Sequence, residues 1–181
     1  MLKVNRRQIL ILSLVVLTLG TWTYLLLPMA NYAYYYKAVE DLTIQIAKFS
    51  DTSTSSSVTV AITFNVSNPT PYVGLTLASI SFQALIHNGT IDEVIGSSGA
   101  GPPRPLPLKP FSYLILEGTF VLTGVNMAQY EKFVAQGSPD WRVGGIIDLG
   151  SRDGFLTPVF ECQSLTLTAC EPAARPTANF T

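Results

Sequence analysis

Val58-Thr-Val-Ala-Ile-Thr-Phe-Asn-Val66 places a large apolar side chain at every second position. Val58, Val60, Ile62, Phe64 and Val66 fall on one face of an extended chain, because successive side chains of a strand point to opposite faces. Leu42, Ile44 and Ile46 repeat the pattern upstream, and Ile80, Phe82, Ala84 and Ile86 repeat it downstream. Asn88-Gly89 follows at once; both central residues of a tight hairpin turn need positive φ, so this pair predicts a hairpin with a return strand over Thr90 to Ile95. Phe111 to Leu122, Val143 to Leu149 and Leu156 to Thr168 predict further strands, with Arg152-Asp153-Gly154 as a turn between the last two. Asn126 to Gln136 departs from this period. Asn126 and Gln129 form a capping-box pattern, Met127, Tyr130, Phe133 and Val134 recur at helical spacing, and Gly137 stands where a helix ends. Asp51 to Ser57 reads as a Ser/Thr-rich connector, and Ser97 to Pro110 as an exposed, extended, proline-rich crossing. The fold class is mainly β: a β-sandwich with one short helix, with a barrel as the alternative closure.

Before this domain lies Ile9 to Leu27, 19 residues without a charge or a proline. As a helix it covers about 28 Å, the thickness of a bilayer's hydrocarbon core. Lys3, Arg6 and Arg7 precede it; Trp22 and Tyr24 lie near its far end, followed by Tyr32, Tyr34, Tyr35 and Tyr36. Basic residues stay in the cytoplasm and amphipathic rings favour the interface, so the expected topology is single-pass, with the N-terminus cytoplasmic and the C-terminal domain extracellular or luminal. A cleaved signal is the competing reading. Its apolar core is shorter, and cuts after Ala30 or Ala33 would put Pro28 or Asn31 at the −3 position. The expected organisation is a cytoplasmic segment 1–8, an anchor 9–28, a juxtamembrane segment 29–41, a β-sandwich 42–170 and a disordered tail 171–181.

Composition narrows function. Of the whole chain, 48% is hydrophobic and 13% charged, the net charge is −1, and there are one histidine and two cysteines. Nucleic acid is an unsuitable partner without a basic face. Eight of eleven basic residues and all twelve acidic ones lie after the anchor, which leaves that part at about −4 and argues against strong binding to anionic lipid. His87 precedes the Asn-Gly turn and has no nucleophile motif beside it. Asp92 and Glu93 are neighbours on a strand, so they face opposite sides and cannot share a proton as a catalytic pair. Gly99-Ala-Gly101 and Gly144-Gly145 lack the strand–glycine loop–helix setting of a phosphate site and predict turns or close strand packing. No enzyme activity, cofactor or metal is expected.

Two modifications are candidates. Asn65-Val-Ser, Asn88-Gly-Thr and Asn179-Phe-Thr are glycosylation sequons, of which Asn88 at a hairpin tip is the most accessible. Cys162 and Cys170 would face an oxidising compartment. A continuous strand between them spans about 26 Å, far beyond disulfide reach, so a bond requires the chain to reverse against the Leu165/Leu167 alternation. Two buried thiols, an intermolecular bridge or lipidation are the alternatives.

The order of features resembles the WHy domain of the group-2 late-embryogenesis-abundant family. A strand runs into Asn68-Pro69-Thr70, and a second strand, Leu77 to Ile86, ends in a glycine turn. Pro105-Leu-Pro-Leu-Lys-Pro110 leads into Leu114 to Leu122, followed by a short helix and terminal strands. Asn-Pro-Thr stands where the family has an Asn-Pro-Asn-like turn. An anchor ahead of such a domain is similar in layout to plant harpin-induced-like proteins and to lysosomal membrane proteins with this luminal fold. The resemblance implies an immunoglobulin/fibronectin-III-like sandwich, no catalysis, and roles in stress and at membranes. Asn68 and Pro69 themselves read as a strand terminator, since asparagine bonds its neighbouring backbone and proline ends the ladder. The expected function is a non-enzymatic module displayed outside the cytoplasm. It touches membrane lipid through its anchor and offers a sheet edge or end loops to a protein partner, a lipid surface or an envelope layer. The second reading is an accessory subunit of a larger membrane complex, with Gly20, Thr21 and Thr23 as a small-residue helix face.

Overall fold

The computed structural model of the chain describes residues 5–87, 92–137, 140–151, 154–162 and 170–172. α1 (Arg6–Glu40) is a single helix of 35 residues, about 52 Å long. It is long and apolar enough to cross a membrane. Its threonines satisfy themselves: Thr18, Thr21 and Thr23 donate from Oγ1 to the carbonyls of Leu14, Leu17 and Leu19 at 2.8, 2.9 and 2.8 Å. This is how a polar side chain becomes tolerable where no water is available. The juxtamembrane residues continue the same helix. Pro28 lies inside the helix, which continues to Glu40 and ends at Asp41, where Lys37 Nζ holds Asp41 Oδ1 at 2.9 Å.

Two antiparallel sheets follow. One has the order β1 (Thr43–Ser53), β2 (Val58–Asn68), β6 (Ser112–Leu122). The other runs β10 (Glu171–Pro172), β9 (Val159–Cys162), β7 (Asp140–Ser151), β3 (Thr76–His87), β4 (Asp92–Ala100). Short strands β5 (Leu106–Pro107) and β8 (Gly154–Leu156) pair with β3 and β7. The alternating face of β2 is the core: Val58, Val60, Ile62, Phe64 and Val66 are all buried. The Phe64 ring lies 5.0 Å from Phe82 and 5.9 Å from Phe160, both on the opposing sheet, in edge-to-face contacts favoured by the ring quadrupole. The two corners of the sandwich are each bridged by a hydrogen bond. Cys170 N–H donates to Ile44 carbonyl at 2.8 Å, and Ser98 Oγ donates to Thr119 carbonyl at 2.6 Å. The strands nevertheless stay in two ladders, so the closure is a sandwich rather than a barrel.

Gly145 shows why the central strands can lie so close. A Cβ there would sit 2.3 Å from the Ser81 carbonyl oxygen and 2.9 Å from the Phe82 Cα, both backbone atoms that cannot step aside. Gly145→Ala is therefore expected to lower the denaturant midpoint by the equivalent of about 2 kcal/mol. An unchanged midpoint would mean that β3 and β7 part freely. Of the Gly144-Gly145 pair, Gly145 thus serves strand packing, whereas a Cβ at Gly144 would meet nothing nearer than 3.9 Å.

α2 (Gly124–Gln136) closes the end of the sandwich remote from α1, burying Tyr130 and Phe133. It begins earlier than the capping pattern implied. Thr123 is the N-cap, and the Gln129 amide donates to Glu93 on β4 instead of turning back on its own helix. Tyr130 Oη donates to Asp51 on β1, so the helix is tied to both sheets. Gly137 ends it with φ +132°. Two predicted loops are shorter than expected. β1 continues to Ser53, leaving Thr54–Ser57 as the turn, and β4 continues through Ser97 to Ala100. The crossing after Ala100 is also less exposed than expected, because Leu108 N–H donates to Leu75 carbonyl at 2.8 Å and the Leu108 side chain is buried.

Cys162 and Cys170 are joined by a disulfide, with Cα atoms 4.2 Å apart. The chain does reverse: β10 pairs antiparallel to β9, Glu171 opposite Glu161 and Pro172 opposite Phe160. The ladder therefore reaches two residues into the segment expected to be a disordered tail. Leu165, Leu167 and 173–181 lie outside the described residues, as do the Asn88-Gly89 turn and Arg152-Asp153. A bond closing so short a loop is expected to contribute about 2.5 kcal/mol. Cys162→Ser/Cys170→Ser should lower the melting temperature accordingly. Equal melting with and without reductant would remove that contribution.

Candidate functional site

The end of the sandwich that receives α1 is built around Asn68, the last residue of β2. Its side chain is 0% exposed. Nδ2 donates to the Tyr72 and Leu108 carbonyls at 3.3 and 3.4 Å, and Oδ1 accepts from Thr70 N–H at 3.0 Å and Thr70 Oγ1 at 2.7 Å. Thr70 Oγ1 in turn accepts from Tyr72 N–H at 3.3 Å. Pro69 and Pro71 have no N–H to bury, so this turn can be sequestered with few orphaned donors. One asparagine amide thereby joins the end of β2, the 69–75 crossing and the 101–111 crossing. The strand-ending role read from Asn68-Pro69 is present, and Thr70 and Tyr72 complete it.

Tyr35 inserts the helix into this end. It is fully buried, its ring lies 5.9 Å from Tyr72, and its Oη donates to the Leu149 carbonyl at 3.2 Å. Ala38, one turn on, is also buried. Tyr32, Tyr34 and Tyr36 are exposed, Tyr34 most of all. Beside the docked turn lies an open groove of about 650 Å³, between Asn31, Tyr34 and Lys37 of the helix and Pro69, Pro71 and Val73 of the crossing. Its lining is mostly apolar. The Lys37 amine is held by Asp41, with Glu40 at 3.9 Å, so the charges at its rim are already paired.

Burial pushes the Tyr35 phenol up to about 12, with Tyr72 adding to the effect. Burial and the hydrogen bond to Asp51 do the same to Tyr130. A phenol raised above its unfolded pKa of about 10 contributes stability below that pH and loses it as pH rises toward 12. The domain is therefore expected to lose stability between pH 10 and 12 by circular dichroism, and Tyr35→Phe should make that loss shallower. An identical alkaline profile for wild type and Tyr35→Phe would separate the loss from this phenol.

The remaining sequence candidates are not brought together here. Register places His87 opposite Asp92 and Asp140, at the end remote from α1. Glu93 meets Gln129. Among the described residues no three His, Cys, Asp or Glu side chains gather as a metal-holding group. Asn65 is half-buried in the middle strand of its sheet, between Gln45 and Ile115, and its Oδ1 is buried without a partner. A sequon in use normally sits in a surface loop, and Asn65 does not. Asn88 and Asn179 lie outside the described residues. Sequence reasoning missed Tyr35 and Ala38. The signal available was their spacing of three, which puts them on one helix face, but the run of tyrosines around them concealed it.

The fold and this end define a mainly β protein: a two-sheet sandwich with a long, apolar N-terminal helix docked into its core. No protein-family model matches the chain, and no curated protein matches it. Among solved structures, a protein from Archaeoglobus fulgidus known from its crystal structure is similar at 15% identity and a TM-score of 0.44. The match covers 75% of this chain and 97% of that one.

Proposed function

We propose that the chain is a single-pass membrane protein that holds a β-sandwich at a fixed height outside the cytoplasm, as a non-enzymatic binding or structural module. The observation that carries this reading is the continuity of α1. The same helix that is apolar enough to cross a bilayer runs on without a break to bury Tyr35 and Ala38 in the sandwich. Removal after Ala30 or Ala33 would cut the docked last turns of α1 from the apolar run they continue. Lys3, Arg6 and Arg7 ahead of the span support a cytoplasmic N-terminus. The Asn68-Pro69 strand end and the single short helix support a WHy-like membership.

Protease protection on intact membranes, with tags at both ends, tests the topology. The expected result is an N-terminal tag on the cytoplasmic side and a C-terminal tag on the opposite side. A glycosidase-sensitive mass shift that disappears in Asn88→Gln would add that the domain entered a glycosylating lumen. A C-terminal tag digested from the cytoplasmic side would sink the display reading. Co-purification of fixed membrane subunits in mild detergent would favour the accessory-subunit role.

A further inference from the structure

We propose that the α1 end of the sandwich is a lipid-binding surface, seated in the headgroup region of the bilayer that its own helix enters. This rests on the anchored reading above. Three separate elements each present a large apolar side chain at this end. Val73 in the 69–75 crossing is 76% exposed, Phe111 just before β6 is 72% exposed and Phe155 on β8 is 78% exposed. Register fixes their shared location. Ser112 pairs with Asn68, Phe155 pairs with Gly150, and Gly150 pairs with Thr76, so all three sit where β2 ends, β3 begins and β7 ends. Phe111 is held outward at φ +51°, a left-handed conformation that a bulky residue rarely adopts.

Height supports the assignment. The apolar run ends at Leu27, and the helix meets the crossing loop from Asn31, with Tyr35 docked. These positions lie roughly 5 to 11 Å beyond Pro28 along the helix. The polar layer of a bilayer leaflet is of that order of thickness. Charge agrees as well. The segment 101–111 carries Arg104 and Lys109 and no acid, residues 69–75 carry no charge, and the acids of the docked helix end, Glu40 and Asp41, are paired with Lys37, although the exported part as a whole is acidic. Apolar tips flanked by cations match phospholipid, whose phosphates lie just above the acyl chains. The remote end carries Asp51, Glu93, Glu131 and Asp140 together with Lys132 and Arg142, a densely charged composition that belongs in water.

The test uses the full chain in phosphatidylcholine vesicles whose acyl chains carry bromine, which quenches tryptophan at close range. In a Trp141→Phe background, native Trp22 reports the anchor. In a Trp22→Phe/Trp141→Phe background, Phe111→Trp and Phe155→Trp report the proposed surface. Val125→Trp, at a remote position that is 81% exposed, reports a face expected in water. The expected result is loss of emission from Trp22 and from the probes at 111 and 155, with no loss from the probe at 125. Arg104→Glu/Lys109→Glu should weaken the loss on vesicles containing phosphatidylserine. Quenched Trp22 with unquenched probes at 111 and 155 overturns the lipid surface and leaves the anchor standing. A blue shift at 111 or 155 without quenching also overturns it, since another protein copy would then cover this end. An unquenched Trp22 is a different failure, that of the anchor, and it removes the proposal with it.

Discussion

Tyr35→Ala is expected to destabilise the sandwich by about 4 kcal/mol, the range for emptying a buried aromatic site. The ring is fully buried against Tyr72, and its hydroxyl satisfies the Leu149 carbonyl. Truncation leaves a cavity and removes the hydrogen bond to the Leu149 carbonyl. Tyr35→Phe removes only the hydrogen bond and should cost about 1 kcal/mol. The measurement is thermal unfolding of the full chain in detergent, in a Trp22→Phe background, followed through Trp141, which is buried between Phe49 and Tyr130 at the remote end. Tyr35→Ala should also open α1 to protease between Tyr36 and Asp41, because the last turns then have no partner. Wild-type stability and wild-type resistance in Tyr35→Ala would mean that the helix rests beside the domain rather than in it. The fixed height on which the proposed function depends would then be lost.

Asn68→Ala is expected to cost about 3 kcal/mol, because it strands several buried partners at once. Tyr72 and Leu108 lose their donor to buried carbonyls, and Thr70 N–H loses its acceptor. Asn68→Asp keeps the acceptor, loses both donors and buries a charge, so it should be no milder. Thr70→Val removes only the hydroxyl bridge to Asn68 and Tyr72 and should cost about 1 kcal/mol. Urea unfolding of the three variants would order them. If Asn68→Ala unfolds no earlier than Thr70→Val, the amide is not what joins the two crossings.

Local patterns were readable where one face of a strand is buried along its whole length. β2 is such a case: its five alternating residues are the five that enter the core. β3 and the core face of β7 follow the same logic. Element ends were less readable, because ladder partners decide them. Asp51 stays in β1 because Val60 of β2 lies opposite, and Ser97 stays in β4 because Gln83 of β3 does, whatever their own propensities. The N-cap of α2 was misplaced for a similar reason. Gln129 is matched to a capping box in sequence, yet a carboxylate on another strand competes for its amide.

The site divides in the same way. Asn68 and Pro69 announce a strand end by their chemistry alone, since a proline cannot extend a ladder and an asparagine can bond nearby backbone. That the amide also reaches Leu108, forty residues on, depends on the path of the second crossing. The two cysteines left several outcomes open, because eight residues can run straight or double back. Pairing of β10 with β9 resolves it by bringing the Cα atoms within 4.2 Å. By itself, then, the sequence determined what depends on neighbours along the chain: the apolar helix, the alternating strands and the turn at Asn68. Tertiary structure alone decided which of four tyrosines enters the core, which glycine lies under a carbonyl, and which three apolar side chains share the end where the helix arrives. Those outcomes depend on distances between residues far apart in the chain, and only packing sets such distances.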